Sequence, residues 1–112
     1  MKLIRAYIRA ERADEVLEGL AQAGILNATL THVLAVGPNL DPDASRVSLE
    51  FGRRVNRMVK LELICPDKDE QRMAELIRKG ACTGQPGDGV IAVQNINRLV
   101  KIRTAQESVE AL

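Results

Sequence analysis

Two helix-period stretches set among four strand-period stretches, in the order β-α-β-loop-β-α-β, predict an α+β domain of the ferredoxin-like βαββαβ type. Length points the same way, because 112 residues make one small domain without room for a second core. A third observation is that the strand segments are apolar on both sides. Two helices cover only one face of a four-stranded antiparallel sheet. The other face therefore needs a cover of its own, and self-association is the physical expectation.

Residues 2–9 alternate, with Ile4, Ala6 and Ile8 on one side and Leu3 and Tyr7 on the other, which reads as a strand. The period then changes. Ala13, Val16, Leu17, Leu20 and Ala23 form a stripe at helical spacing, and Gly24 just past it is a natural helix end. Residues 28–36 alternate again, placing His32 in a strand beside threonines, where a hydrogen-bonded structural histidine is expected. Residues 37–45 hold a glycine, two prolines and several Asn, Asp and Ser, and define a loop. Such a connection is longer than a compact domain needs, and long loops are commonly functional. Residues 46–51 resume alternation and can extend a hairpin. Arg53, Arg54 and Arg57 follow as a basic cluster, suited either to solvent or to a phosphate or acidic partner.

The next strand is expected at 58–65. Pro66-Asp67-x-x-Glu70 reads as a capping box opening the second helix, whose buried stripe is Met73, Leu76 and Ile77. A glycine-rich loop over 80–90 holds four of the chain's eight glycines and runs into a strand at 90–96. A basic tail begins at Arg98. By spacing alone the glycine loop is a helix-to-strand connection or a concave anion site built from backbone N–H groups. Asp88 in its middle repels a bare phosphate. It is better suited to accept hydrogen bonds from the loop itself, a ribose hydroxyl or an arginine.

Composition excludes several classes. Hydrophobic residues at 46% and charged ones at 28% argue against disorder. A net charge of +1 supplies no global field for nucleic acid or an anionic membrane. Tyr7 and Phe51 are the only aromatics, too few for the stacking platforms of a single-strand binder. Neither a membrane-spanning run nor a signal peptide is visible, so a cytoplasmic protein without membrane insertion is expected. Cys65 reads as a small core residue and Cys82 as partly exposed. With His32 they make a metal site imaginable, but the paired close spacing of zinc ligands is missing, so no metal site is assigned. No nucleophile–base pairing or carboxylate pair suggests catalysis, and an enzyme is not expected.

Thr83-Gly84-x-x-Gly87-Asp88-Gly89-x-Ile91, followed by Ile102-Arg103-Thr104, resembles the signature of the PII nitrogen-regulatory signal-transduction family. Met1-Lys2-Leu3-Ile4, Asp14-Glu15-Val16 with Leu20, Val59-Lys60-Leu61-Glu62 and Pro66-Asp67 fit the same family. The resemblance spans essentially the whole chain except residues 38–58, which marks a divergent, PII-like branch. It implies a single domain over 1–112 with a flexible T-loop at about 37–57, a nucleotide loop at 80–90 and a C-terminal segment at 98–112. It also implies a homotrimer with its sheets facing inward and an adenine nucleotide (ADP, AMP or ATP) bound between subunits. Gly37 opens the T-loop against that nucleotide, and Ile64 lines the adenine pocket. Gly87, Asp88 and Gly89 bring backbone toward phosphates and ribose. Thr29, Lys101 and Arg103 come from the adjacent chain. Asn39, Ser48, Phe51, Arg53 and Arg54 fall in the partner-binding T-loop. The implied function is regulation of a protein target, a membrane transporter or metabolic enzyme.

Departures from the family pattern weaken parts of this implication. Val90 and Met58 stand where lysines contact phosphate, and Asn39, preceded by Pro38, stands where a glutamine helps hold magnesium and 2-oxoglutarate. Whether magnesium binds is therefore left open. Phe51 replaces the tyrosine that is uridylylated in many relatives. A second architecture of the same kind, the trimeric metal-linked CutA family, is the alternative that Cys82 and His32 keep open.

Overall fold

The computed structural model describes residues 1–25, 27–37, 43 and 45–107. Element order is β1 (Lys2–Arg9), α1 (Ala13–Gln22), β2 (Thr29–Ala35), β3 (Arg46–Ser48), β4 (Arg53–Cys65), α2 (Glu70–Ala81) and β5 (Gly89–Asn95). All pairings are antiparallel. The sheet runs β2-β4-β1-β5, and β3 adds a fifth strand against the start of β4. This is the expected ferredoxin-like arrangement with one extra short strand.

The two helices pack on one face. Ile4, Ala6 and Ile8 of β1 lie opposite Leu63, Leu61 and Val59 of β4, and all six are buried against Val16 and Leu20 of α1 and Met73 and Ile77 of α2. The helices cross where α2 carries Gly80. A Cβ there would stand 3.0 Å from the Val16 Cα, so a larger residue would push the two helices apart by a few tenths of an ångström. The alternate residues face away from the helices. Leu3, Arg5 and Tyr7 therefore share the open face with Ile64, Glu62 and Lys60. Arg5 donates two hydrogen bonds to Glu62 Oε2 at 3.2 and 3.0 Å, so this face carries a paired charge among its apolar groups.

Three expectations need correction. Strand β4 begins at Arg53 rather than residue 58, because Val55 is fully buried and Arg46–Ser48 pair with Arg53–Val55 to extend the ladder. Asp67 does not cap α2. Residues Asp67–Asp69 form a turn of 3-10 helix, and the Asp67 carboxylate sits 2.7 Å from the Met1 ammonium instead. The first helix is likewise preceded by a 3-10 turn at Ala10–Arg12. His32 is exposed on β2, paired through its backbone strand with Val59, and its side chain makes no hydrogen bond to a described residue, so it is not the satisfied structural histidine expected. Cys65 is buried and Cys82 exposed, as read from the sequence. Among the described residues no helix is long and apolar enough to cross a membrane, and no three His, Cys, Asp or Glu side chains gather where an ion would be held.

Candidate functional site

The site is built where α2 ends and the chain returns to the sheet. Arg12 donates two hydrogen bonds to the Gly80 carbonyl, at 2.9 and 2.7 Å, satisfying an acceptor that the helix terminus leaves open. Cys82 then takes an extended conformation and the loop 83–88 begins. Gly84, Gly87 and Gly89 have φ of 84°, 96° and 104°, a region that disfavours side chains. Gly89 is the most demanding. A Cβ on it would lie 1.7 Å from the Tyr7 carbonyl oxygen, inside the atom itself.

Asp88 organises the loop. Its carboxylate accepts from the Thr83 N–H at 2.8 Å, the Gly84 N–H at 3.0 Å and the Thr83 hydroxyl. Arg9, buried at the end of β1, donates from Nε to Asp88 Oδ1 at 2.9 Å and from a terminal nitrogen to the Pro86 carbonyl at 2.8 Å. Burial by itself pushes the Asp88 carboxyl up. The hydrogen bonds from the Thr83 side chain, from Arg9 and from the two backbone N–H groups outweigh it, holding the group well below the usual carboxylate range. Two of the loop's N–H groups, those of Thr83 and Gly84, are thus filled by the chain's own carboxylate.

Beside this loop lies a cavity of about 680 Å³ on the open face. Tyr7, Val33, Ala35, Asn56, Met58 and Val90 form its floor, and register explains why they meet: Tyr7 pairs with Val90, Val33 with Met58 and Ala35 with Asn56. Gly37, with φ of 144°, closes one side, and Gly87, Asp88 and Gly89 close the other. Asp88 is the only charged side chain in the described lining.

The residues singled out from the sequence fall into two groups. Gly37, Gly87, Asp88 and Gly89 come together at this cavity. Thr29 and Ile64 do not. Thr29 opposes Glu62 and Ile64 opposes Leu3, near the end of the sheet where β1 starts. Six residues separate Ile64 from Met58, roughly 20 Å along a strand. The C-terminal segment leaves from that same end, since the Ile96 N–H bonds to the Met1 carbonyl at 3.0 Å. It turns back on itself through the Lys101 N–H to the Gln106 carbonyl at 2.8 Å, leaving Arg103 exposed and Lys101 half-buried.

Four of the residues that the resemblance places in a T-loop lie together. Ser48 ends β3, Arg53 and Arg54 open β4, and the turn between them exposes Phe51. The Ser48 hydroxyl accepts from the Phe51 N–H at 3.3 Å, and Arg54 donates to the Ser45 hydroxyl at 3.3 Å. Asn39 lies outside the described residues. Sequence reading missed Tyr7, Arg9, Arg12 and Asn56. Nothing local marks them, because each matters through a partner or cavity that only the sheet register brings close.

The family model for Nitrogen regulatory protein P-II matches residues 1–106. The chain belongs to the PII family of nitrogen regulatory proteins. It is similar to Nitrogen regulatory protein P-II of Mesorhizobium japonicum, 35% identical over 112 residues that cover both chains completely. Similarity to Nitrogen regulatory protein P-II of Haemophilus influenzae is 34% over the same complete length. Nitrogen regulatory protein P-II 2 of Methanothermobacter thermautotrophicus is 33% identical, with 97% of that protein covered. Against this PII background, both positions where the family pattern implies phosphate-contacting lysines, Met58 and Val90, lie in the floor of the cavity.

Proposed function

We propose that this PII family protein is a signalling protein rather than a catalyst. It binds an adenine nucleotide in a cleft completed by a neighbouring copy, and its residues 37–57 carry the response to a protein target. One observation carries the reading. The cavity at Gly37 and Gly87–Gly89 and the group Thr29, Ile64 and the C-terminal segment sit at opposite ends of one open face. Each is half a site. A rotated second copy laid against that face, as closed cyclic assembly provides, supports joining the two halves, and a trimer does so three times.

On this reading Lys101 and Arg103 of the neighbouring copy supply the positive charge that the described cavity lining lacks. Lysine gives a point charge where arginine would give a planar fork, so Arg103 is the stronger phosphate partner. With Met58 and Val90 in place of two cations, ADP or AMP binds at least as tightly as ATP, and 2-oxoglutarate adds little. Each missing charge-assisted hydrogen bond is worth about 1.5–3 kcal/mol, enough to remove a preference for the terminal phosphate. A transporter or a metabolic enzyme is the proposed class of target.

Calorimetric titration with ATP, ADP and AMP tests the reading. Arg103→Ala should weaken all three, by about tenfold or more. Arg54→Ala should weaken ATP alone, and only where the hairpin folds over the ligand. ATP bound far more tightly than ADP, with strong synergy from magnesium and 2-oxoglutarate, would show that the charge lost at Met58 and Val90 has been replaced. No binding of any adenine nucleotide would overturn the proposal.

A further inference from the structure

Strand β4 runs on past the body of the sheet. Arg9, the last residue of β1, pairs with Met58, and β2 ends with Ala35 opposite Asn56. Arg53–Val55 extend beyond both neighbours with only β3 beside them. The turn over 49–52 is thus the tip of a projecting hairpin, about 15 Å along the strand from the end of β1. The turn is closed by the Gly52 N–H, which donates to the Ser48 carbonyl at 2.8 Å. Turns in water usually present Gly, Asn, Asp or Ser. This one presents Leu49, 99% exposed, with Val47 at 62% and Phe51 at 51%. Single exposed apolar residues need no explanation, but three within five positions at the end of a finger make a patch.

Behind the tip stand four exposed arginines, at 46, 53, 54 and 57, against a single glutamate, Glu50, over residues 45–57. The chain's net charge of +1 conceals this local excess. Arg53 lies opposite Ser48 and Arg46 opposite Val55, which puts both arginines on one face of the hairpin. Arg54 lies opposite Val47, on the other face. Arg54 reaches Ser45, whereas Arg46, Arg53 and Arg57 make no ion pair with a described residue.

We propose that this hairpin docks on an anionic lipid surface, with Leu49 and Phe51 entering the boundary between headgroups and acyl chains and the arginines lying in the phosphate layer. A groove on a protein reads one face of a strand, but here charge stands on both faces behind an apolar end. A bilayer offers an apolar interior beneath an anionic layer, in that same order of depth and from every side of the finger. Guanidinium groups suit lipid phosphates because they pair with them through two parallel hydrogen bonds. Glu50 at the tip opposes the docking, so one finger binds weakly and reversibly, and copies held in one assembly bind together more tightly. The inference goes beyond the nucleotide reading and does not depend on it.

The test sediments the full-length protein with vesicles of phosphatidylcholine, alone or with about one-third phosphatidylglycerol, at physiological salt. Binding is expected on the anionic vesicles and not on the neutral ones. Arg46→Gln should weaken it about fivefold, the usual effect of one basic residue near a charged membrane, and Glu50→Gln should tighten it by a similar factor. Leu49→Ser should weaken it about tenfold through lost apolar burial. All three positions are exposed, so melting temperatures should stay near that of the wild type, which separates lost docking from lost folding. Leu49→Trp supplies a second readout, because the chain has no other tryptophan. Its emission should shift to the blue on anionic vesicles and be quenched by brominated acyl chains. Failure to bind anionic vesicles, equal binding to neutral ones, or a tryptophan that binding leaves unshifted and unquenched each overturns the inference. The first of these leaves the hairpin to a protein target, and none of them touches the nucleotide reading.

Discussion

Asp88→Ala removes the centre of the glycine loop, and the structure sets the size of the effect. Four donors lose their acceptor at once: the Thr83 N–H and hydroxyl, the Gly84 N–H and the Arg9 guanidinium. The Arg9 side chain is 5% exposed and that of Asp88 23%, so the pair is largely shielded from water. Breaking a buried pair from one side typically costs 3–5 kcal/mol, because the remaining charge stays behind. The four bonds are not additive, since the loop can relax once the carboxylate is gone, and Arg9 keeps the Pro86 carbonyl. A loss of about 3 kcal/mol follows, a large fraction of a total near 5–15 kcal/mol. At fixed protein concentration this is a fall in melting temperature of roughly 10–15 °C.

The same carboxylate predicts an acid response. Its folded-state pKa lies below the unfolded value of about 3.9, so its stabilisation is fully present above that pH and is lost as pH falls toward the folded value. Wild-type stability should therefore decline below about pH 5, and Asp88→Ala should flatten much of that decline. Asp67 is also held low, first by its hydrogen bond to the Met1 ammonium and then by that group's charge, but it is exposed. Added salt screens it and leaves the Asp88 contribution largely intact, which separates the two. Urea titrations at pH 7 and pH 3.5 measure both quantities. A loss below 1 kcal/mol at pH 7, or an acid profile identical in wild type and variant, would refute the role given to Asp88.

Gly89→Ala should abolish folding or cost about 3 kcal/mol or more, because its Cβ meets the Tyr7 carbonyl oxygen at 1.7 Å. Gly84→Ala, with a similar positive φ but nothing within 4 Å, should cost only about 1–2 kcal/mol, and chemical denaturation of the pair checks the contrast. Arg12→Ala frees the Gly80 carbonyl and should cost about 1–2 kcal/mol in urea without changing nucleotide affinity. Light scattering at micromolar concentration should give three times the 12.3 kDa chain mass, and a stable monomer would remove the shared cleft.

Periodicity made the fold legible because burial acts on every second or every third to fourth residue, and local sequence records that. It failed where a strand is polar. Arg53-Arg54-Val55-Asn56-Arg57 reads as loop, yet it is strand because β3 offers a ladder and Val55 reaches the core. It failed again at Asp67, whose spacing to Glu70 suits a cap while the distant Met1 ammonium takes its carboxylate. The site shows the same division. The glycines of 80–89 were visible as glycines, but the need for one at 89 comes from a carbonyl on β1. Arg5, Arg9 and Arg12 are near neighbours in sequence and indistinguishable by composition. Register sends the first to Glu62, the second to Asp88 and the third to Gly80.

That last assignment bears on how a ligand and the assembly depend on each other. Arg9 is committed to Asp88 and Pro86. Asp88 in turn commits the N–H groups of Thr83 and Gly84 to itself. One chain therefore holds a shaped cavity whose described lining carries a single charged side chain, Asp88, already paired with Arg9. If Lys101 and Arg103 of a neighbouring copy supply the charge for a phosphate, the nucleotide binds the assembled protein and not the single chain. By mass action it then stabilises the assembly by the same free energy with which the assembly favours the nucleotide.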